Sequence, residues 1–275
     1  MKQKKTCKAA ILYALITLIV LILISPYLWM VINTFRSTGE TFAASILPKR
    51  FTLQNYRNVL ADATTTHAIL NSLFCAFCAA LLTLLLAITT SYGFSRFRFR
   101  GREFLMSVFL SLRTFPVLLL AIALFVVVVK LNLYNSYIPV ILANTMLNLP
   151  FAVWNCISVI DAVPFQVEES AMVDGLNRMR TIFRISLPMA LPGLVSTFTY
   201  VFIMSWNEYL FAMTFISDNT KQLITTRIAA NISQFSVDYA GLLTTSVIAS
   251  LPIILLFVFI QRYIISGLTM GGVKE

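Results

Sequence analysis

Charge is scarce in this chain. Only 12% of its 275 residues are Asp, Glu, Lys or Arg, against about 25% in soluble domains, and this excludes an ordinary water-soluble domain. Acid is scarcer than base: eleven Asp and Glu stand against twenty-one Lys and Arg, for a formal net charge of +10. There is one histidine, too few for an imidazole metal cluster. The four cysteines imply no disulfide framework. Cys7 lies in a lysine-rich N-terminus, and Cys75, Cys78 and Cys156 lie in apolar runs. Cys75 and Cys78 match C-x-x-C, but without the βαβ setting of a redox motif they read as small helix residues. No G-x-x-x-x-G-K-[ST] occurs, so the chain has no P-loop of its own, and no nucleophile–base set or internal repeat is visible. What fills the chain is apolar: 59% of residues are hydrophobic and the mean hydropathy is +0.84.

That composition belongs to an all-α polytopic membrane protein. A spanning helix needs about 20 mostly apolar residues, and six runs qualify. The first, Ala9–Ile32, follows four lysines and is too long for the apolar core of a signal peptide. The others are Ala68–Tyr92, Phe104–Val129, Ser136–Ile160 with Pro139 and Pro150 inside, Leu191–Ile216, and Tyr239–Ile264 with Pro252 inside. With both termini in the cytoplasm, thirteen of the twenty-one basic residues fall inside, seven fall outside and Arg113 lies in a span. This agrees with the positive-inside rule. The basic excess is thereby accounted for, and neither it nor the alternating Arg96–Phe97–Arg98–Phe99–Arg100 stretch calls for nucleic acid.

One polar segment is patterned rather than merely polar. Between Asp161 and Pro192 lie four of the eleven acids and three arginines. Pro164 suits the first turn of a helix. Glu168 and Glu169 follow near its positive end, Gly175 is able to stop it with φ > 0, and Asn177 suits the N-cap of a second short helix. Leu187-Pro188 is expected to end that helix, because the residue before proline is disfavoured in the α region. The expectation is helix, glycine turn, helix, outside the bilayer.

Glu169-Ser170-Ala171, Asp174-Gly175, Ile185 and Leu187-Pro188 resemble the EAA loop of ABC importer permeases, whose pattern is E-A-A, three residues, G, nine residues, I-x-L-P. Ser170 and Leu176 stand where alanine is common. Trp206-Asn207-Glu208-Tyr209-Leu210, the Phe51-Thr-Leu-Gln-Asn55-Tyr56 phrase and the glycine-rich tail from Gly267 are similar to the carbohydrate, maltose-type branch. The resemblance implies a type I ABC importer permease fold with six transmembrane helices. It implies a permease subunit of an ATP-driven, binding-protein-dependent sugar importer in a bacterial inner membrane, not an enzyme. Residues 1–65 would form the first helix and an outer loop, residues 66–265 the core with the coupling loop 161–190, and residues 266–275 a cytoplasmic tail.

The implied partners are an ABC ATPase dimer, a second permease of a different chain, an extracytoplasmic sugar-binding protein and membrane lipid. No cofactor is expected on this chain; ATP and Mg would be used by the ATPase. Glu168, Glu169, Ala171, Asp174, Gly175, Leu187 and Pro188 would form the coupling loop. Glu169 and Asp174 would make polar contacts in the ATPase cleft, and Ala171 would allow close approach to it. An ABC permease for another small solute and an ion-coupled carrier are the alternatives.

Within the membrane, a few polar residues are candidates for the translocation path. Arg113 is expensive near the bilayer middle unless it meets water or a partner. It is expected to line the path, to pair with an acid such as Glu208, or to snorkel. Asn144 and Asn148, four apart, share a helix face that serves either packing or a path. Trp206, Asn207, Glu208 and Tyr209 offer rings and hydrogen bonds to a sugar, or interfacial anchors.

Overall fold

The computed structural model describes residues 2–37, 40, 45, 47–232 and 237–270, with residues 2–10 and 262–270 as backbone only. The tail beyond 270, parts of the first outer loop and residues 233–236 lie outside the described residues. Among the described residues all regular structure is helical apart from one isolated bridge, Ile232 to Val237. The helices are α1 (Lys2–Thr34), α2 (Gln54–Ala61), α3 (Ala63–Arg96), α4 (Arg102–Leu112), α5 (Val117–Lys130), α6 (Tyr137–Asp161), α7 (Phe165–Val173), α8 (Arg178–Thr181), α9 (Leu187–Trp206), α10 (Leu210–Phe215), α11 (Ile224–Ala229) and α12 (Tyr239–Met270).

Among the described residues five helical runs are long and apolar enough to cross a membrane, and a sixth span exists if α4 and α5 are taken together. Several run past their expected ends because the helix does not stop where the hydrocarbon does. Asp62, for example, accepts the Thr64 amide at 3.0 Å and so starts α3 before its apolar stretch begins.

Two spans depart from expectation. The third is not one helix with a proline kink: α4 and α5 meet at a bend of 92°. Thr114 and Phe115 donate to the carbonyls of Ser111 and Leu112, three residues back. Pro116 has no N–H to give and disfavours helical geometry at Phe115. Tight turns ahead of the proline convert a kink into a corner. At about 1.5 Å per residue, α4 with 11 residues and α5 with 14 are each too short for a hydrocarbon layer of about 30 Å. The helical run of the fifth span starts well before Leu191, at Arg178, and is interrupted at Asn207–Tyr209, so that α9 and α10 replace one helix.

The chain forms two compact units. In residues 1–65 with 228–250, the buried Asn55 amide donates to the carbonyls of Thr34 (2.8 Å) and Arg36 (2.9 Å). The Tyr56 hydroxyl meets Thr34 Oγ1 at 2.7 Å. Asn55 thus takes up carbonyls at and just beyond the end of α1 that have no helical partner, and Tyr56 holds the Thr34 side chain.

The other unit, residues 66–227 with 251–275, holds the core. Ala76, Ala79, Ala80 and Ala87 on α3 are fully buried, the small-residue packing that lets membrane helices approach. Ser91 on α3 donates to the Val153 carbonyl of α6 at 2.8 Å. The approach of α9 to α6 is closer still: a Cβ on Gly193 would lie 2.5 Å from Val159 Cγ2. Phe211, Ala212 and Phe215 of α10 pack with Ala121 and Val128 of α5 and Val140 and Ala143 of α6.

Candidate functional site

The patterned loop folds as its local chemistry dictates. Pro164 precedes α7, whose first turn holds Glu168. Gly175 takes φ +93°, and the amides of Gly175 and Leu176 return to the carbonyls of Met172 and Ala171 at 3.1 Å each, closing a Schellman-type end. Asn177 Oδ1 accepts the Arg180 amide at 2.9 Å and caps α8. One expectation fails. Leu187 does not leave the α region; its φ is −65° and ψ −44°. A π-helical turn, Ile182–Ser186, joins α8 to α9 without a break. Pro188 then sits in the first turn of α9, where its missing N–H is tolerated.

The loop's residues divide by direction. Glu169, Asp174 and Gly175 are exposed. So are large apolar side chains: Val173 at 87%, Met179 at 61% and Phe183 at 63%. An exterior that joins apolar knobs to two acids has the makeup of a docking surface. Ala171 is buried within its own chain. The close approach it permits is therefore internal, unlike the approach to a partner that the motif implied. Leu187 is half-buried and Pro188 exposed at the start of α9.

Glu168 is 1% exposed and is the hub of a closed network. Arg96, the last residue of α3, donates to Glu168 Oε1 from Nε (3.0 Å) and Nη2 (2.9 Å). The same Nη2 reaches the carbonyls of Ile160 and Val163, each at 2.9 Å. The Tyr92 hydroxyl donates to Oε2 at 3.0 Å and the Ser186 hydroxyl to Oε1 at 2.9 Å. Burial pushes the Glu168 carboxyl up, but the hydrogen bonds from Arg96, Ser186 and Tyr92 and the Arg96 charge outweigh it and hold the group below its ordinary value. Glu168 and Arg96 together therefore tie α3, α6, α7 and the π turn. Arg178 adds a second fastening, its guanidinium 4.6 Å from the centre of the Phe97 ring. Nothing in the sequence marks Arg96, rather than Arg98 or Arg100, as the arginine that turns inward.

In the membrane-spanning part, Glu208 and Arg113 do not pair. Glu208 sits at the interruption between α9 and α10, and its carboxylate accepts the amides of Phe211 (2.6 Å) and Ala212 (3.1 Å). It caps α10 from within. Trp206 is buried, 6.1 Å from the Phe202 ring, while Asn207 and Tyr209 are exposed. Asn144 is buried and Asn148 half-buried, and each bonds a carbonyl one turn back on α6. Arg113 lies at the α4–α5 corner and is exposed. Its Nη2 donates to the Tyr200 hydroxyl at 3.1 Å and its guanidinium lies 5.1 Å from the Phe151 ring centre. Beyond α10, Asp218 caps its own turn by accepting the Thr220 amide at 2.8 Å.

A family model described as "Binding-protein-dependent transport system inner membrane component" matches residues 79–269. The chain is 33% identical over 266 residues to a diacetylchitobiose uptake system permease protein of Streptomyces coelicolor, covering 96% of this chain and 88% of the relative. It is 30% identical over 260 residues to a trehalose/maltose transport system permease protein of Thermococcus litoralis, covering 94% of each. Among solved structures, a bacterial ABC transporter involved in the import of the acidic polysaccharide alginate contains a chain with the same fold, at a TM-score of 0.79 and 18% identity over 94% of this chain and 97% of that one.

Proposed function

The chain belongs to the family of binding-protein-dependent transport system inner membrane components, and from that premise we propose that it is the permease subunit of an ATP-driven sugar importer. The exposed face of α7 and α8 carries the reading. Val173, Met179 and Phe183 are left uncovered beside Glu169 and Asp174, on a platform that Glu168 and Arg96 fasten to the ends of α3 and α6. A docking element must be covered by its partner and rigidly joined to what it moves, and this loop has both properties.

The partner is an ABC ATPase dimer, which binds ATP and Mg while this chain binds no cofactor. Closure of the dimer pulls on α7 and α8, and the fastening passes that displacement into the membrane helices. A second, different permease completes the path, and an extracytoplasmic sugar-binding protein delivers solute to the outer loops. Both termini lie in the cytoplasm of a bacterial inner-membrane protein, and residues 66–265 act as the transport core. Two relatives of sugar specificity, together with the Trp206–Leu210 stretch, support a sugar over another small solute. The need for an external ATPase separates this reading from an ion-coupled carrier.

A mild-detergent pull-down of the chain from its native membrane, with mass spectrometry of the bound proteins, tests the assignment. An ATPase and a second permease are expected to co-purify, and Gly175→Pro or Glu169→Lys is expected to release the ATPase while leaving the chain in the membrane. Recovery of the chain alone, still carrying solute in liposomes without ATP, would establish a carrier instead.

A further inference from the structure

Arg113 is not absorbed by the coupling mechanism. It stands at the corner between two half-spans, and the two residues that hold it, Phe151 and Tyr200, lie near the middle of α6 (Tyr137–Asp161) and well inside α9 (Leu187–Trp206). The guanidinium is therefore deep in the membrane, not at the headgroups. A charge at that depth costs at least a few kcal/mol when it faces lipid. No carboxylate neutralises it among the described residues, and Glu208, the nearest candidate by sequence reasoning, is committed to the amides of α10. An exposed arginine with one neutral hydrogen-bond partner has unused donors in a fixed fork, a geometry suited to carboxylate, sulfonate or phosphate oxygens.

Its surroundings suit the rest of such a ligand. The Phe151 and Tyr200 rings lie 4.0 Å apart at their centres, tilted by 36°, and present an aromatic corner beside the guanidinium. Asn148, Phe151 and Asn155 recur at the helical period and so share one face of α6. The Asn155 amide donates to Thr197 Oγ1 on α9 at 2.7 Å, three residues before Tyr200. Neutral hydrogen-bonding groups and ring faces next to one unneutralised cation match a polyhydroxylated ring that carries an acid. The 14-residue helix α5 begins four residues beyond Arg113 without a side-chain cap, and its positive dipole end offsets the negative end that α4 brings to the same corner.

We propose that Arg113, with Phe151 and Tyr200, forms an anion-reading subsite on the translocation path, and that the solute is a sugar bearing a carboxylate, sulfonate or phosphate group. This rests on the sugar-importer reading above and narrows its substrate class. Arg113 holds the acidic group, Tyr200 keeps the guanidinium oriented, and Phe151 supplies a ring face.

The test uses the complete transporter with its binding protein, reconstituted in liposomes and offered radiolabelled oligosaccharides in matched sets: neutral, uronate-bearing, sulfonate-bearing and phosphate-bearing. ATP-dependent uptake of one acidic set in preference to its neutral counterpart is expected. In Arg113→Gln that uptake should fall by at least about tenfold, the worth of a hydrogen bond to a charged group. Arg113→Lys should retain more than Arg113→Gln, because it keeps the charge without the fork, at equal abundance of both variants in the complex. ATP-dependent uptake of neutral sugars alone, or equal loss of all sugars in Arg113→Gln and Arg113→Lys, would overturn the subsite and leave the importer standing. Absence of ATP-dependent uptake of any sugar by the wild-type complex would instead overturn the sugar reading on which the subsite depends.

Discussion

The patterned loop and the two interruptions in the membrane spans are built from the same parts, a broken helix and a charged residue, but use them in opposite ways. In the loop the charge is shut in. Glu168 meets Arg96, Tyr92 and Ser186, and Arg96 also takes up the carbonyls of Ile160 and Val163. In the spans, Glu208 serves the backbone amides of α10, and Arg113 meets a hydroxyl and a ring. A fully satisfied network resists displacement and transmits it. A charge left open has a free side for something that comes and goes. On the function proposed above, the difference separates a region that carries force from a region that meets solute.

The largest effect that would break this comparison is loss of the buried ion pair. Glu168→Ala leaves the buried Arg96 with two carbonyls and only the more distant, half-exposed Asp161 carboxylate at 3.9 Å, at a cost of up to about 3–5 kcal/mol. Thermal unfolding of the purified complex should register it, and ATPase co-purification should fall. If Glu168→Ala melts like wild type, the loop is not held by this network. The same network sets a pH dependence. Because the folded-state pKa of Glu168 is depressed, its stabilisation is present above the ordinary carboxylate value and is lost as pH falls through the depressed folded-state value. Docking should therefore persist through mildly acidic pH and weaken only below the usual carboxylate range, and this acid sensitivity should vanish in Glu168→Gln.

Glu208→Ala ranks next. It strips the acceptor from the first amides of α10, at about 2 kcal/mol, while the ATPase still docks. Loss of docking in this variant would erase the distinction between the two regions.

Gly175 sharpens the picture at a smaller scale. A Cβ there meets nothing within 4 Å, so Gly175→Ala carries only the strain of φ +93°, about 1–2 kcal/mol. Gly175→Asn should be milder, because asparagine tolerates the left-handed region better. The melting temperatures of the two variants decide it, and equal values would mean that the turn has relaxed. Asn177→Ala, which removes the α8 cap, is expected to cost about 1 kcal/mol and to leave transport measurable.

Much of the loop was legible because its signals are local. Proline before α7, glycine at its end and Asn177 as a cap each act through their own backbone, and all three stand where the spacing placed them. Leu187-Pro188 misled because a local preference before proline yielded to the continuous path from α8 into α9, which the π turn makes possible. Ala171 was read as facing a partner, and Glu168 was not told apart from Glu169, because a motif gives residue types without their rotation. Only the packing of α7 against α8 and the π turn turns them inward. Asn155, Tyr200 and Phe151 carried no sequence signal, since an asparagine or an aromatic ring in an apolar run is ordinary until its neighbours are known.

Composition and hydropathy determined that the chain is helical, crosses the membrane several times and presents one patterned loop, because each of these follows from transfer energies and backbone preferences counted along the chain. Which arginine is buried, which acid is spent on a helix end, and that the third span turns through 92° were decided by tertiary structure. A charge settles where it finds partners, and those partners lie on elements far away in sequence.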